Sequence, residues 1–422
     1  CNLYAFDKVC NKDEKEVPLE ELIENIDVGG PTMIRAAAKN FVDVAVLTHP
    51  LQYTALIEQL KSGVTYETRK NLAKEAFNLT ASYDALITGA LEKRFTGEPL
   101  SFFFSPSNGT PLRYGENPHQ RGYLLKNPFE WGPAYLQPIQ GKEPSYNNYL
   151  DADSAIALAH DLTTLKIKNF DYGVVIVKHL NPCGAALSTN IQQALEMAWA
   201  CDPVSSFGSI IAFTHELDEQ CANFFEDKFI EVILAPSYSA KAKQILANKK
   251  NLRLFEIDPR KIPSKRKEIR TICGGALYQD ADEGFQEEFQ VKGQKGFSKE
   301  ILEIAPFGVA VTKHLKSNAI GIFHQTAQGV SMSGAGMGNP NRIVSIKHAI
   351  EKAKEIGHTD LKNHLLVSDA FFPFADSIHL SHQAGIRNII QPGGSLRDNE
   401  VIAISDSLGV AMAFTGRRHF RD

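Results

Sequence analysis

Short apolar runs rich in Val and Ile alternate with helix-patterned stretches along this chain, and that alternation restricts the fold more than any other feature. Residues 171–178 read Asp-Tyr-Gly-Val-Val-Ile-Val-Lys, and 42–47, 207–213, 231–235, 365–367 and 410–414 share that character. Runs this short and this uniformly apolar are strands covered on both faces. Between them, 18–27, 32–40, 50–61, 66–95, 151–162, 191–200, 342–356 and 400–408 carry helical spacing, and a further helix begins at 297–304. Residues 319–324 and 330–333 are predicted to pair as a hairpin around Thr326-Ala327-Gln328-Gly329. Strands alternating with helices call for an α/β protein with a mostly parallel sheet and helices on its faces. At 422 residues there is room for several such units. Gly, Pro and Ser crowd 96–112, the candidate linker. Val177-Lys178-His179-Leu180-Asn181 is echoed by Thr312-Lys313-His314-Leu315-Lys316, which suits either two related units in tandem or a chance match.

A formal charge of −4 argues against nucleic acid or an anionic membrane as the main partner. The basic cluster at 261–270 reads as a solvated connector. Cysteines stand at 1, 10, 183, 201, 221 and 273, without Cys-x-x-Cys spacing, which fits a reduced, cytoplasmic setting with most thiols packed as small hydrophobes. No apolar run reaches the ~18 residues that span a membrane, and no signal-peptide pattern is present. Residue 1 is Cys, and Cys-Asn-Leu-Tyr reads like the end of a strand, so an upstream part is expected.

Some strings carry candidate chemistry. Lys178-His179-Leu180-Asn181-Pro182-Cys183-Gly184 follows a buried strand, and ligands of open α/β sheets gather at the carboxyl ends of strands. An imidazole takes a proton from an attacking amine near neutrality, while an adjacent ammonium stabilises negative charge. A surface lysine beside a satisfied histidine is the competing reading. The string from Pro111 to Gln120 offers Arg113 and Tyr114, a phosphate fork and a stacking ring, or else a polar loop. Gly334-Ala335-Gly336-Met337-Gly338 precedes a helix and could present N–H groups to an anion, or make a tight turn. Ser368 to Asp376 sets three Phe around a Pro between acids, a wall for a flat heterocycle or core packing at a strand end. Zinc deaminase chemistry needs Pro-Cys-x-x-Cys, but Pro182-Cys183 runs on into Gly184-Ala185. Neither a Gly-x-Ser-x-Gly elbow nor a Walker loop occurs.

Taken in order, a series of strings resembles the bifunctional purine-synthesis family that joins aminoimidazole-carboxamide ribotide (AICAR) formyltransferase to inosinate (IMP) cyclohydrolase. They are Cys-Asn-Leu-Tyr at 1–4, Ile-Asp-Val-Gly-Gly-Pro-Thr at 26–32, Arg-Ala-Ala-Ala-Lys-Asn at 35–40 and Leu-Arg-Tyr-Gly-Glu-Asn-Pro-His-Gln at 112–120. Ser-Tyr-Asn-Asn at 145–148, Lys-His-Leu-Asn-Pro-Cys-Gly at 178–184, Ser-Ser-Phe-Gly at 205–208, Lys-Ser-Asn at 316–318 and Ser-Asp-Ala-Phe-Phe-Pro-Phe at 368–374 follow. The resemblance covers essentially the whole chain. It implies the C-terminal part of a methylglyoxal-synthase-like cyclohydrolase domain over 1–100. Two tandem cytidine-deaminase-like α/β units without zinc would follow, over 108–285 and 286–422. It further implies AICAR as acceptor, 10-formyltetrahydrofolate as co-substrate, no catalytic metal, room for a monovalent cation, and a homodimer with sites between subunits.

Site roles come with the same resemblance. His179 would take the amine proton, Lys178 would stabilise charge and help protonate the leaving N10, and Asn318 would donate to the developing oxyanion. Arg113, Tyr114, Asn148, Glu231 and Arg418 would hold the nucleotide. Ser206, Phe207, Phe371, Phe374 and Asp376 would take the folate. Tyr4, Asp27 and Lys39 match ring-closing residues of the cyclohydrolase. Where family chains commonly end in His, this one ends Phe420-Arg421-Asp422. The expectation is a formyltransferase with an incomplete cyclohydrolase site. The alternatives are a complete bifunctional enzyme with its front end lost from the record, and a non-catalytic nucleotide-sensing module. Intact Lys178, His179 and Asn318 argue against the sensor.

Overall fold

The computed structural model describes residues 1–97, 109–263, 266–285 and 288–422, which form two compact units, Cys1–Tyr135 and Leu136–Asp422. Most of the candidate linker, and the expected boundaries at 108 and 286, lie outside the described residues.

The first unit holds helices α1 (Leu19–Glu24), α2 (Gly29–Lys39), α3 (Gln52–Leu60) and α4 (Tyr66–Thr96), and two short paired strands, β1 (Thr110–Pro111) and β2 (Tyr123–Leu124). Helix α4 starts where Thr65 Oγ1 accepts the N–H of Thr68 at 3.1 Å, and stops at Gly97, whose φ of +85° suits glycine. Its inner face presents Ala73 and Ala76 to Ile34 and Ala38 of α2, and Tyr83 and Ala90 to Phe6 and Leu22. The strand expected at 42–47 is turn and coil. A strand's N–H and C=O groups need a neighbouring strand, and among the described residues none pairs with this segment.

The second unit is built on one sheet. Its helices are α5 (Tyr146–Thr164), α6 (Ile191–Ala200), α7 (Glu219–Phe224), α8 (Ala240–Leu246), α9 (Lys299–Lys313), α10 (Arg342–Glu355), α11 (Asp376–Gln383) and α12 (Asp398–Ser407). Its strands are β3 (Tyr172–Lys178), β4 (Asn181–Ser188), β5 (Ile210–Phe213), β6 (Val232–Ala235), β7 (Arg253–Glu256), β8 (Lys267–Ile272), β9 (Gly275–Asp280), β10 (Gln290–Lys292), β11 (Ile320–Gln325), β12 (Gly329–Gly336), β13 (Leu365–Ser368), β14 (Asn388–Gln391) and β15 (Ala411–Phe414). The large sheet runs β10-β15-β14-β13-β11-β12-β4-β3-β5-β6-β7. It is mixed, where a mostly parallel sheet was expected. The β5-β6-β7 and β13-β14-β15 flanks are parallel, and the centre, from β13 to β5, is antiparallel. The reason is local: β3 joins β4, and β11 joins β12, through turns too short for a parallel crossover.

Each half repeats one order, helix, hairpin, helix, strand, helix, strand, helix, strand: α5-β3-β4-α6-β5-α7-β6-α8-β7, then α9-β11-β12-α10-β13-α11-β14-α12-β15. Alternate residues of each strand face opposite layers. Val175 and Val177 point to the face covered by α5 and α9, while Val174 and Ile176 point to α6, α7 and α8. Ile320 and Ile322 point likewise to α10, α11 and α12. Burial on both faces is why these strands read as unbroken apolar runs. Strands β8 and β9 form a separate, exposed hairpin that takes in part of the predicted basic connector.

Among the described residues, no helix is long and apolar enough to cross a membrane.

Candidate functional site

The antiparallel pairing at the centre of the sheet decides which loops meet. Ser188 of β4 lies opposite Gly329 of β12, so the end of β4 meets the start of β12. The start of β4, with the turn before it, therefore shares a sheet edge with the end of β12 and the start of β11. Lys178-His179-Leu180-Asn181 and Ser317-Asn318 are brought to one edge in this way, and Asn181 Oδ1 accepts the N–H of Lys316 at 3.1 Å.

The β3–β4 turn has two central residues, and both are left-handed: His179 at φ 53° and Leu180 at φ 66°. A two-residue hairpin favours positive φ at both positions, which Asn-Gly adopts without strain and Leu does not. Helix α5 holds the turn in place. Asp151 Oδ1 accepts the N–H of Leu180 at 2.6 Å, and Ser154 Oγ donates to Leu180 O at 3.0 Å. Burial raises the Asp151 carboxyl, against the lowering pull of the Leu180 and His179 N–H groups. The His179 side chain is left exposed, and Lys178 Nζ donates to Phe207 O at 2.6 Å. Neither Asp151 nor Ser154 was singled out from the sequence. The available signal was two polar residues, three apart, on one face of the helix that opens this half.

Asn318 is held as firmly. Its Oδ1 accepts from Arg342 at 2.6 Å, its Nδ2 donates one hydrogen to Asn339 O at 2.8 Å, and Ser345 Oγ donates to its backbone carbonyl at 2.7 Å. Arg342 is buried, pairs with the buried Asp369 and donates to Ser368 Oγ at 2.9 Å. Ser317 Oγ donates to the second Asp369 oxygen at 2.7 Å. Asp369 thus orients the Asn318 loop, whereas the sequence suggested an acid for a heterocycle. The glycines before Arg342 are not an anion cradle. Gly334 and Gly336 lie within β12, where a Cβ would collide with the carbonyls of Ala349 and Ser345 on α10. They let the helix approach the strand, and Asn341 caps α10 by accepting from Ile343 N at 2.8 Å.

A cavity of about 310 Å³ opens beside the Lys-His turn, lined by Lys178, His179, Asp202, Met337 and Lys352 among others. A larger one of about 530 Å³ within the first unit is lined mainly by apolar groups such as Met33, Ile34, Val46 and Leu56. The smaller cavity is lined by charged and titratable groups, Lys178 and His179 among them, so chemistry rather than volume marks it as the candidate. Cys183 also lines it, and burial, with Asp202 adding to it, pushes its thiol up to about 12, away from thiolate character.

The other predicted residues divide. Asn148 Nδ2 donates to Glu231 Oε2 at 2.9 Å, and Asn148 also closes the capping box of α5 with Ser145. Ser206 is buried and donates to Asp202 O, while Phe207 is exposed against Phe229 at 5.2 Å between centroids. Phe371 and Phe374 are exposed, with Arg397 over the Phe374 ring at 4.9 Å, and the middle Phe372 belongs to the core. Asp376, at the first turn of α11, accepts from Ser377 N. Arg418 lies over Phe420 at 4.3 Å. In the first unit, Arg113 donates to Tyr114 OH at 2.6 Å. There, Asp27 accepts from Tyr4 N and Gly30 N, while Tyr4 and Lys39 are exposed.

The echo pair Lys313-His314 ends helix α9, so it is not the counterpart of Lys178-His179 in the repeated order, and the match is fortuitous. A histidine cluster that sequence reading missed comes from three separate segments: His324, His358 and His364. Burial, with His358 adding to it, pushes His324 down to about 4, and burial with both neighbours pushes His364 to about 3.

Comparison with known proteins gives the following. The family described as the AICARFT/IMPCHase bienzyme matches residues 37–352. The bifunctional purine biosynthesis protein PurH of Aquifex aeolicus is 42% identical over 428 residues, covering 100% of this chain and 80% of that protein. The PurH of Prochlorococcus marinus is 42% identical, covering 99% and 80%. That of Bacillus cereus strain B4264 is 40% identical, covering 100% and 80%.

Proposed function

This chain belongs to the AICARFT/IMPCHase bienzyme family, and from that premise we propose that the Lys178-His179 turn and the Asn318 loop are the two halves of its formyl-transfer site. Its activity is that of an AICAR formyltransferase of purine biosynthesis. The observation that carries the site assignment is the separate clamping of the two loops at one sheet edge, His179-Leu180 by Asp151 and Asn318 by Arg342.

The acceptor amine is a weak nucleophile, because its lone pair is drawn into a ring bearing a carboxamide. Transfer forms a bond from that nitrogen to the formyl carbon and breaks the bond from the carbon to N10 of the donor, 10-formyltetrahydrofolate. The amine proton must leave, and N10 must gain one. His179, exposed at the turn, takes the amine proton. Lys178, anchored on the Phe207 carbonyl, stabilises charge and supplies the proton for N10. Charge gathers on the formyl oxygen as the bonds exchange. The second hydrogen of Asn318 Nδ2 points the amide at that charge, and Arg342 and Asn339 hold it so that no reorganisation is needed. The exposed rings of Phe371 and Phe374 suit a pterin, with Asp376, Ser206 and Phe207 completing the folate side. Asn148 and Glu231, already bonded to each other, with Arg113, Tyr114 and Arg418, take the nucleotide. Orienting both substrates supplies much of the rate. Tyr4, Asp27 and Lys39 belong to the ring-closing side. The reaction runs without a catalytic metal and leaves room for a monovalent cation. The setting is a cytoplasmic homodimer. The exposed Ile269, Ile272 and Leu277 of the β8–β9 hairpin suit contact with a second copy. A methylglyoxal-synthase-like part over 1–100 precedes two cytidine-deaminase-like units over 108–285 and 286–422, and the repeated order of elements supports the pair of units.

The test is formyl transfer from 10-formyltetrahydrofolate to AICAR, followed by the absorbance of free tetrahydrofolate, with chromatography of the nucleotide. Turnover by the wild type that is lost in His179→Ala supports the assignment. Equal turnover by His179→Ala sinks it. Product running on to inosinate would place ring closure in this chain as well.

A further inference from the structure

The His324, His358 and His364 cluster lies away from the formyl-transfer edge. In the β11–β13 register Ile320 faces Ser368 and Phe323 faces Leu365, and one further step sets His324 opposite His364. Asn318 precedes β11 and His324 nears its far end, so six residues of extended chain, roughly 20 Å, separate them. His358 comes from the loop after α10. The three rings converge, with centroids 4.4 Å (His324–His358), 4.9 Å (His358–His364) and 5.3 Å (His324–His364) apart. One nitrogen from each lies within 4.8 Å of the others.

We infer that His324, His358 and His364 form a binding site for a Zn²⁺-class transition-metal dication that ties β11, β13 and the loop after α10 together. The spacing is right. His364 Nε2 and His358 Nδ1 stand 3.1 Å apart, and two imidazole nitrogens on a tetrahedral Zn²⁺ at about 2.05 Å lie about 3.3 Å apart. The donor type is right too, since imidazole suits Zn²⁺, Cu²⁺ and Ni²⁺ over Mg²⁺ or Ca²⁺. An outer partner exists. β12 carries one extra residue, Ser333, where its register with β11 shifts, and Ser333 Oγ meets His324 Nδ1 at 2.8 Å. That bond leaves His324 Nε2 as the ligand nitrogen. His364 is buried, and its Nε2, the nitrogen that faces His358, is the one placed to ligate. His358 and His324 are only half-buried, so an entry path and a fourth position for water remain.

The repeated order of elements adds a second, independent argument. The β3–β4 hairpin has the same register shift near its turn, at Cys183. Counting from the shift, His324 occupies in the second half the position of Lys178 in the first. The antiparallel β4–β12 contact sends the two positions to opposite edges of the sheet. The second half therefore sets at the equivalent position a side chain that can ligate a metal.

The experiment uses the whole chain, stripped with a chelator and titrated calorimetrically with Zn²⁺, and separately with Co²⁺ as a visible reporter of tetrahedral nitrogen ligation. The wild type is expected to bind one Zn²⁺ with micromolar or tighter affinity, to show the Co²⁺ band and to melt higher when loaded. Ser333→Ala weakens binding about 10-fold, and loss of the half-exposed ligand in His358→Gln weakens it by more than about 100-fold. Formyl transfer, unchanged in both variants, reports that they are folded. Absence of Zn²⁺ binding by the wild type, or equal affinity in His358→Gln, overturns the proposal and leaves the cluster as three packed rings.

Discussion

Lys178-His179 and Lys313-His314 are the same dipeptide placed at different rungs of one repeated order. The first closes a β-hairpin, where a two-residue turn pushes the imidazole out into solvent. The second closes helix α9, where both side chains fold inward onto Asp161 of α5, each at 2.7 Å. Burial pushes His314 down to about 4, against the pull of Asp161. Burial also works to raise the Asp161 carboxyl, but His314 and Lys313 overcome it and hold Asp161 well below the usual carboxylate range. Even when neutral, His314 keeps its hydrogen bond to Asp161 beside the Lys313 ammonium. The first pair is open to solvent, where the proposed proton transfer needs it, and the other stitches the two halves of the unit together. Residue type does not separate them; solvent access and a carboxylate do.

The sharpest way to break this contrast is to remove each imidazole's role in turn. His179→Ala is expected to lower kcat for formyl transfer by about 10²- to 10⁴-fold and to leave the melting temperature unchanged. A matching fall in stability would show His179 to be structural. Asp161→Ala is expected to do the reverse. It strands Lys313 in a buried site and lowers unfolding free energy by about 3–5 kcal/mol in urea titrations, while kcat per folded molecule is kept.

The pH dependence of stability sharpens the comparison further. Since folding lowers the His314 pKa, the unfolded chain binds a proton between pH 6.5 and about 4 that the folded chain does not. Stability contributed at neutral pH is therefore lost as pH falls through that window. His314→Gln is expected to lose a few kcal/mol less than wild type between pH 7 and pH 4.5. Parallel curves would refute a neutral buried His314. Asp161 acts lower, its contribution disappearing only below the ordinary carboxylate range.

The smallest expected effect concerns the support of the Lys178-His179 turn. Asp151→Ala removes the acceptor for Leu180 N–H and is expected to lower kcat roughly tenfold, with little change in KM. Asp151→Asn is expected to restore most of it, because an amide oxygen accepts the same bond. A variant whose activity tracks its melting temperature alone would reduce Asp151 to a packing residue.

Much of the architecture is decided by local pattern. The segments at 172–178, 210–213 and 411–414 are strands because both of their faces are apolar, and Thr65 and Gly97 bracket α4 through cap chemistry that needs no distant partner. The family, too, is legible in ordered strings such as Lys178 to Gly184. Other features depend on partners far away in the chain. The run at 42–47 has a strand's composition, but no neighbouring strand pairs with it among the described residues. Gly334 and Gly336 look like an anion loop until the carbonyls of α10 are seen against them. Asp369 looks like a ligand for a heterocycle until Arg342 is seen to hold it. His324, His358 and His364 have no motif spacing, because antiparallel register and a loop bring them together. Periodicity and capping act within a few residues and can be read along the chain. Burial, ion pairing and convergence act across the sheet, and only the tertiary structure decides which Lys-His pair faces solvent and which faces Asp161.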